Sequence, residues 1–170
     1  MENARLPRKV ISGGQIGADQ AGLIVAARYK IATGGWMPRG FLTLRGPDPE
    51  VAARFGLQEH PSEAYPERTE LNVRTSDGTI RFAANWKTPG ELCTLKFIRQ
   101  HGKPCIDVDI KNPRPVEEIA EWISRERIKT LNVAGNVEPK SRGAQASGIT
   151  DFVIDYLGRV FEALGHQPND

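Results

Sequence analysis

Four glycine-bearing segments stand where the chain could offer backbone N–H groups to an anion. They are Gly13-Gly14-Gln15-Ile16-Gly17, then Gly34-Gly35-Trp36-Met37-Pro38-Arg39-Gly40, then Thr88-Pro89-Gly90, and finally Gly135-Asn136 through Gly143. Each follows a strand-like run or precedes a helical one. Glycine there allows the backbone to approach an oxyanion closely, and the following helix N-terminus favours negative charge. Glycines also make tight turns with no ligand in view, and one such segment alone says nothing more. Four on one predicted sheet edge point to an anion-binding cleft, because open α/β sheets bind ligands at the carboxyl ends of their strands.

Polar residues gather near these turns. Arg39 follows Pro38, Asp77 ends a helical segment that carries Arg68, Thr69 and Asn72 on one side, and Ser141 and Arg142 precede the last helix. Fifteen of the 23 basic residues are arginine, whose planar fork matches phosphate and carboxylate, although a genomic preference for arginine gives the same count. Each arginine taken singly also reads as a surface ion pair with a carboxylate such as Glu67 or Glu138. Trp36 suits either stacking on a flat ring or anchoring a core.

Other chemistries find little support. The P-loop pattern is absent. The first turn lacks the leading glycine of the dinucleotide fingerprint, and no acid follows the short second strand before Asp48. His60, His101 and His166 stand apart, so the sequence offers no metal site. Cys93 falls inside a helical pattern and reads as buried and inert, and Asp107 and Asp109 alternate at a strand end that faces solvent. No catalytic constellation can be assembled from serine, histidine and aspartate.

The elements that must position these residues alternate. Strands are expected at 9–12, briefly within 31–40, at 79–83, 104–108 and 130–134. Helices are expected at 16–29 (with Leu23, Ala26 and Ala27 on one face), 63–75 (with Tyr65, Leu71 and Val73 in core contact), 90–100, 115–125 and 144–164. Residues 41–62 read as a loop with one helical turn at 51–54, on the strength of Pro47, Pro49 and Pro61. This order predicts an α/β fold, a Rossmann-like, doubly wound and mostly parallel sheet of five or more strands with helices on both faces.

Composition agrees. The chain has 170 residues, 39% hydrophobic and 26% charged, which fits one domain with its own core. A net charge of +2 argues against nucleic acid as a partner. A mean hydropathy of −0.44 with no long apolar run argues against a membrane. No apolar signal core precedes the first strand, and two cysteines make no disulfide framework, so the cytoplasm is expected.

Several motifs in order resemble the molybdenum-cofactor carrier family, part of the SLOG superfamily and related to the lysine-decarboxylase-like phosphoribohydrolases. Ile11-Ser12-Gly13-Gly14-Gln15-Ile16-Gly17-Ala18-Asp19 is similar to its SGGQTGAD opening. Thr33 to Gly40 resembles TGGWxPKG, Arg68 to Val73 with Ser76-Asp77-Gly78-Thr79 resembles RTxxNVxxSDAT, and Leu131 to Glu138 resembles LNVAGPRES. Asn136-Val137 replaces the family's Pro-Arg, and Leu44 to Asp48 replaces its acidic pair.

The resemblance implies a homo-oligomeric carrier of molybdenum cofactor, a pterin with a phosphate arm, or of a related nucleotide-like anion, with molybdoenzymes as acceptors. The implied binding residues are Gly13, Gly14, Gln15, Gly17 and Asp19; Trp36 and Arg39; Arg68, Thr69, Asn72 and Asp77; Thr88, Pro89, Gly90 and Thr94; and Gly135, Asn136, Ser141 and Arg142. The phosphoribohydrolase relatives supply a rival reading. Their PGGxGTxxE motif is matched by Pro89 to Lys96, with Lys96 in place of the glutamate. A lysine cannot serve as that carboxylate, which favours binding over hydrolysis of an N-glycosidic bond. A hydrolase using Asp19 or Glu91, and a sensor of a signalling nucleotide, are the alternatives.

Overall fold

A computed structural model describes residues 5–138 and 148–170. The chain runs β1 (Lys9–Ser12), α1 (Ala18–Arg28), β2 (Ala32–Met37), a 3-10 turn at Arg39–Phe41, β3 (Leu42–Thr43), β4 (Gly46–Pro47), α2 (Pro49–Phe55) and β5 (Gln58–Glu59). It continues through α3 (Tyr65–Thr75), β6 (Gly78–Ala83), α4 (Pro89–His101), β7 (Cys105–Asp109), α5 (Val116–Arg125), β8 (Thr130–Gly135) and α6 (Ile149–Ala163). Six strands form one sheet in the order β5-β2-β1-β8-β6-β7, and every pairing in it is parallel. Helices α1, α5 and α6 pack together on one face, and α3 and α4 on the other. The Rossmann-like α/β reading therefore holds, with six strands.

Strand alternation decides which side chains enter which layer. Val10, Ile80, Phe82, Leu131 and Val133 join Ile119, Ile123, Val153, Leu157 and Phe161 in the large core under α1, α5 and α6. A smaller cluster of Val73, Phe97 and Ile98 lies between α3 and α4. Arg81 and Asn132 are also buried, at 4% and 3% exposure, so the centre of the sheet carries polar groups. Tyr65 and Leu71, expected in the core, are only half-buried.

Residues 41–62 hold more structure than their prolines suggested. Asp48 caps α2 by accepting from the Val51 N–H at 3.1 Å, Pro49 occupies the first turn where no N–H is needed, and Gly56 ends the helix in the left-handed conformation. A short antiparallel hairpin, β3–β4, precedes it, and β5 adds an edge strand beside β2. The expected start of the last helix at residue 144 lies outside the described residues.

Two further expectations need correction. Gly34 and Gly35 belong to strand β2 and do not form a turn. A side chain on Gly35 would strike the backbone of Ser12 in β1, so these glycines serve strand packing. Asp107 does not simply face solvent; its carboxylate takes two hydrogen bonds from Arg81, Nε at 2.8 Å and Nη2 at 2.6 Å.

Asp77, expected near the ligand, lies at the opposite edge of the sheet, just before β6. Its carboxylate accepts from the Lys129 and Thr130 N–H groups at 3.0 and 2.8 Å and fixes the entry of β8. Asp77→Ala is expected to lower unfolding stability by about 1 kcal/mol through loss of these charge-assisted bonds. Ligand affinity should not change. Denaturant melts and ligand titrations of the same variant check both halves of this expectation.

Candidate functional site: a charged cavity over the central strands

The loops that leave β1, β8 and β6 meet above the three adjacent strands. Ala18 N–H donates to the Asn136 carbonyl at 3.2 Å and Glu138 N–H to the Ile16 carbonyl at 2.9 Å, so the first and last loops are zipped together. Asn136 joins the third. Its side-chain oxygen accepts from Ala84 and Asn85 N–H at 2.9 and 3.0 Å, and its amide nitrogen donates to the Asn85 carbonyl at 3.0 Å. Gly135 makes this approach possible, because a side chain there would collide with the Phe82 carbonyl. Glu138 turns away and accepts from Gly148 and Thr150, at the head of α6.

Beneath these loops lies a cavity of about 630 Å³, a size suited to a mononucleotide or a phosphorylated pterin. Gly13, Gln15 and Asp19 line it from the β1 loop and the start of α1. Arg68, Thr69 and Asn72 line it from α3; Thr88, Pro89, Gly90 and Thr94 from the start of α4; and Gly135 and Asn136 from the end of β8. Three of the four glycine segments therefore converge. The second does not, because part of it is strand and the rest leads away into the β3–β4 hairpin.

Several expected residues fall elsewhere. Arg39 is exposed and pairs with Glu63 at 2.9 Å, the surface ion pair that was its alternative reading, though with a different carboxylate. Trp36 does not line the cavity. Its backbone N–H donates to Asn72 Oδ1 at 3.0 Å and its carbonyl accepts from Asn72 Nδ2 at 3.1 Å, so the Asn72 amide is occupied in clamping β2. Gly14 faces Met37 and Leu57 in a small apolar core and does not line the cavity. Gly17 abuts the Asn136–Glu138 backbone and makes room for the zipped loops. Ser141 and Arg142 lie outside the described residues.

The charges inside the cavity are unusual. The Arg68 side chain is only 11% exposed and stands 3.7 Å from Asp19, too long for a hydrogen bond, while its Nε has no partner among the described residues. Its guanidinium lies where a side chain on Gly13 would be, so the glycine leaves that space free. Burial pushes the Asp19 carboxyl up to about 6, against the pull of Arg68 and the backbone N–H of Gln15. Glu91, in the first turn of α4, is 2% exposed and also lines the cavity. Burial pushes its carboxyl up to about 7; Arg81 opposes this, and Asp19 and Asp107 add to it.

Other lining groups have fixed roles. The Gln15 amide donates to the Leu42 carbonyl at 2.9 Å and accepts from the Leu44 N–H at 3.3 Å, which ties the β3–β4 hairpin to the cavity rim. Thr88 caps α4 by accepting from the Glu91 N–H at 3.3 Å. Thr69 and Thr94 donate to carbonyls four residues back, those of Tyr65 and Gly90. Exposed Leu44 and Val137 line the cavity too.

Sequence reasoning missed several lining residues, Tyr65 and Cys93 among them. Tyr65, read as a core residue, lines the cavity with Arg68 stacked 5.4 Å from its ring centre. Cys93, read as buried, is half-buried on the cavity wall, and burial pushes its thiol up. Lys96, which stands where the hydrolase motif has glutamate, is exposed and does not line the cavity. The buried carboxyl of this stretch comes from Glu91.

Sheet and cavity together define a Rossmann-like α/β protein with a charged, ligand-sized site at the carboxyl edge of its central strands. The chain belongs to the circularly permutated YpsA SLOG family, whose model matches residues 10–160. It is also similar to the crystal structure of a putative molybdenum carrier protein from Syntrophus aciditrophicus SB, with a TM-score of 0.79 and 35% identity over 92% of this chain and 96% of that one. No curated protein matches the chain.

The raised carboxyls link the site to stability. Asp and Glu ordinarily titrate near 3.8 and 4.5, whereas Asp19 and Glu91 hold their protons to about 6 and 7 in the fold. Between these limits the folded state binds more protons than the unfolded one, so stability falls as pH rises through that window. For Glu91 the loss is on the order of 3 kcal/mol. Glu91→Gln should flatten the fall between pH 5 and pH 8, measured by denaturant unfolding beside the unchanged protein.

Proposed function

We propose that the protein binds and carries a small anionic molecule of the molybdenum-cofactor type, a pterin with a phosphate arm, and is not an enzyme acting on it. The observation that supports this most strongly is Arg68. A guanidinium buried against Gly13, beyond hydrogen-bond reach of Asp19 and with Nε unpartnered, is incompletely satisfied without a ligand. A phosphate would supply the missing acceptor in the planar geometry that arginine prefers. The N-terminus of α4 at Gly90 opens on the same cavity and favours the same charge. The similarity to a molybdenum carrier supports the pterin part of the reading. Tyr65 offers that ring an aromatic face, the part first assigned to Trp36. As a carrier the protein would act in the cytoplasm as a homo-oligomer and hand its cargo to molybdoenzymes.

The hydrolase reading draws on Asp19 and Glu91, two buried carboxyls that hold protons near neutrality in one cavity. Incubation with nucleoside monophosphates separates the two readings. The carrier reading expects no free base, and release at ordinary turnover would replace it.

Sulfate, whose charge is constant between pH 5 and pH 8, is the simplest probe of the anion site. Its binding should tighten as pH falls from 8 to 5, because protonation of Glu91 near 7 and of Asp19 near 6 removes negative charge from the cavity and leaves the Arg68 charge uncompensated. Arg68→Gln should weaken sulfate binding about 10- to 100-fold at either pH, on the scale of one charge-assisted hydrogen bond. Calorimetric titration at both pH values measures the effect, with thermal unfolding as a check that the variant is folded. Equal affinity in Arg68→Gln and the unchanged protein would place the anion elsewhere.

A further inference from the structure

We propose that Glu91 reads the ring of the ligand, accepting hydrogen bonds from the ring N–H and exocyclic amine of a 2-amino-4-oxopyrimidine edge. Guanine and pterins both carry this edge. The inference rests on a ligand occupying the cavity described above, and it assigns the chemistry of the part that is not the anion.

The hydrogen bonds around Glu91 leave its carboxylate with unused acceptor capacity. Glu91 is at the third position of α4, where a glutamate often reaches back to the capping residue. Here Thr88 caps the helix through the Glu91 backbone N–H, and Glu91 lines the cavity with its side chain almost wholly buried. Arg81 is the nearest cation, but two of its nitrogens are committed to Asp107. The remaining one, Nη1, donates to the Glu91 backbone carbonyl at 3.3 Å and stands 3.6 Å from Oε2. Oε2 has no hydrogen-bond partner among the described residues. Oε1 has only a long contact, 3.4 Å, with the Asn136 amide, which makes its better bond to Asn85.

A buried carboxylate with two under-bonded oxygens is costly without donors. Two parallel N–H groups on one ring edge are the neutral partner that fits both oxygens. Arg68 and Arg81 already supply positive charge, so a further cation is not required. Adenine presents a donor beside an acceptor, and its ring nitrogen would face a carboxylate oxygen with no proton between them. Hypoxanthine keeps the ring N–H but lacks the amine. The groups facing Glu91 are Arg81 from β6, Asp107 from β7, Asp19 from α1 and Asn136 after β8. With its carboxyl at about 7, Glu91 is mostly ionised at pH 8, the state that accepts two bonds.

The test is calorimetric titration of the full chain at pH 8 with guanosine, inosine and adenosine 5′-monophosphates and with neopterin monophosphate. The guanosine nucleotide should bind at least 10-fold more tightly than the inosine nucleotide, and adenosine more weakly still. Comparison of neopterin monophosphate with guanosine monophosphate shows which of the two bicyclic rings the cavity prefers. Glu91→Gln should bring the guanosine-to-inosine ratio to within about 2-fold, since an amide offers one acceptor and one clashing donor. Glu91→Ala, which adds no donor, should also collapse the ratio if the loss is one of reading and not of folding. Equal binding of the guanosine and inosine nucleotides overturns the proposal, as does a ratio that survives both substitutions. Binding of sulfate without any ring preference overturns this inference while leaving the anion site intact; failure of sulfate itself to bind overturns the carrier reading as well.

Discussion

The site depends on a fit between a residue with no side chain and one with a large charged side chain. Arg68 reaches from α3 across the mouth of the β1 loop and lays its guanidinium on Gly13. The same loop brings Asp19 to within 3.7 Å, close enough to offset some of the charge and too far to satisfy its donors. A tighter pair would be a structural ion bridge with nothing left to offer. A wholly unpaired arginine would be hard to bury. The intermediate arrangement keeps a cation inside the fold and leaves hydrogen-bonding capacity for a ligand.

Three neighbouring strands hold that arrangement in place. β1, β8 and β6 lie side by side, and their loops are joined by backbone bonds and by the single Asn136 side chain. Asn136 therefore has a structural duty that a direct ligand contact would disturb. Much the same holds for Gln15 and Asn72, whose amides are committed to the β3–β4 hairpin and to β2. Residues of this kind set the shape of the cavity, while Arg68 and Glu91 retain the unmet bonding that could meet a ligand.

The fold was legible because its strands are short, apolar runs punctuated by Gly and Pro, and its helices carry recognisable starts. The loop between β2 and α3 was misread because prolines were taken as breakers, when Asp48-Pro49 is also a good way to begin a helix. Site residues were legible where a motif sits at a strand end, as at Gly13, Gly90 and Gly135. They were misplaced where only proximity in sequence was available. Arg39 follows β2 yet points to Glu63 in solvent, and Asp77 is at the opposite end of β6 from the cavity. Gly14 adjoins Gly13, but the two face different layers of the fold.

One signal lay unread in the strands themselves. A parallel sheet covered on both faces ordinarily has near-uniform apolar strands. Here β6 reads Gly-Thr-Ile-Arg-Phe-Ala and β8 reads Thr-Leu-Asn-Val-Ala-Gly. Ile80, Phe82, Leu131 and Val133 go to the large core, whereas Thr79, Arg81 and Asn132 are buried without joining it. Thr79 and Asn132 bond to each other at 3.2 Å, Arg81 bonds to Asp107 and the Glu91 backbone, and Asn132 reaches the cavity wall. Alternation inside a doubly covered sheet thus marks the layer that contains a polar site. The arginine in β6 also explains why Glu91 can be buried at all: Arg81 lowers the cost of the carboxyl through its charge while spending its best hydrogen bonds on Asp107. The sheet stabilises the acid electrostatically without saturating it, which is the condition a carboxylate needs if it is to meet a ligand.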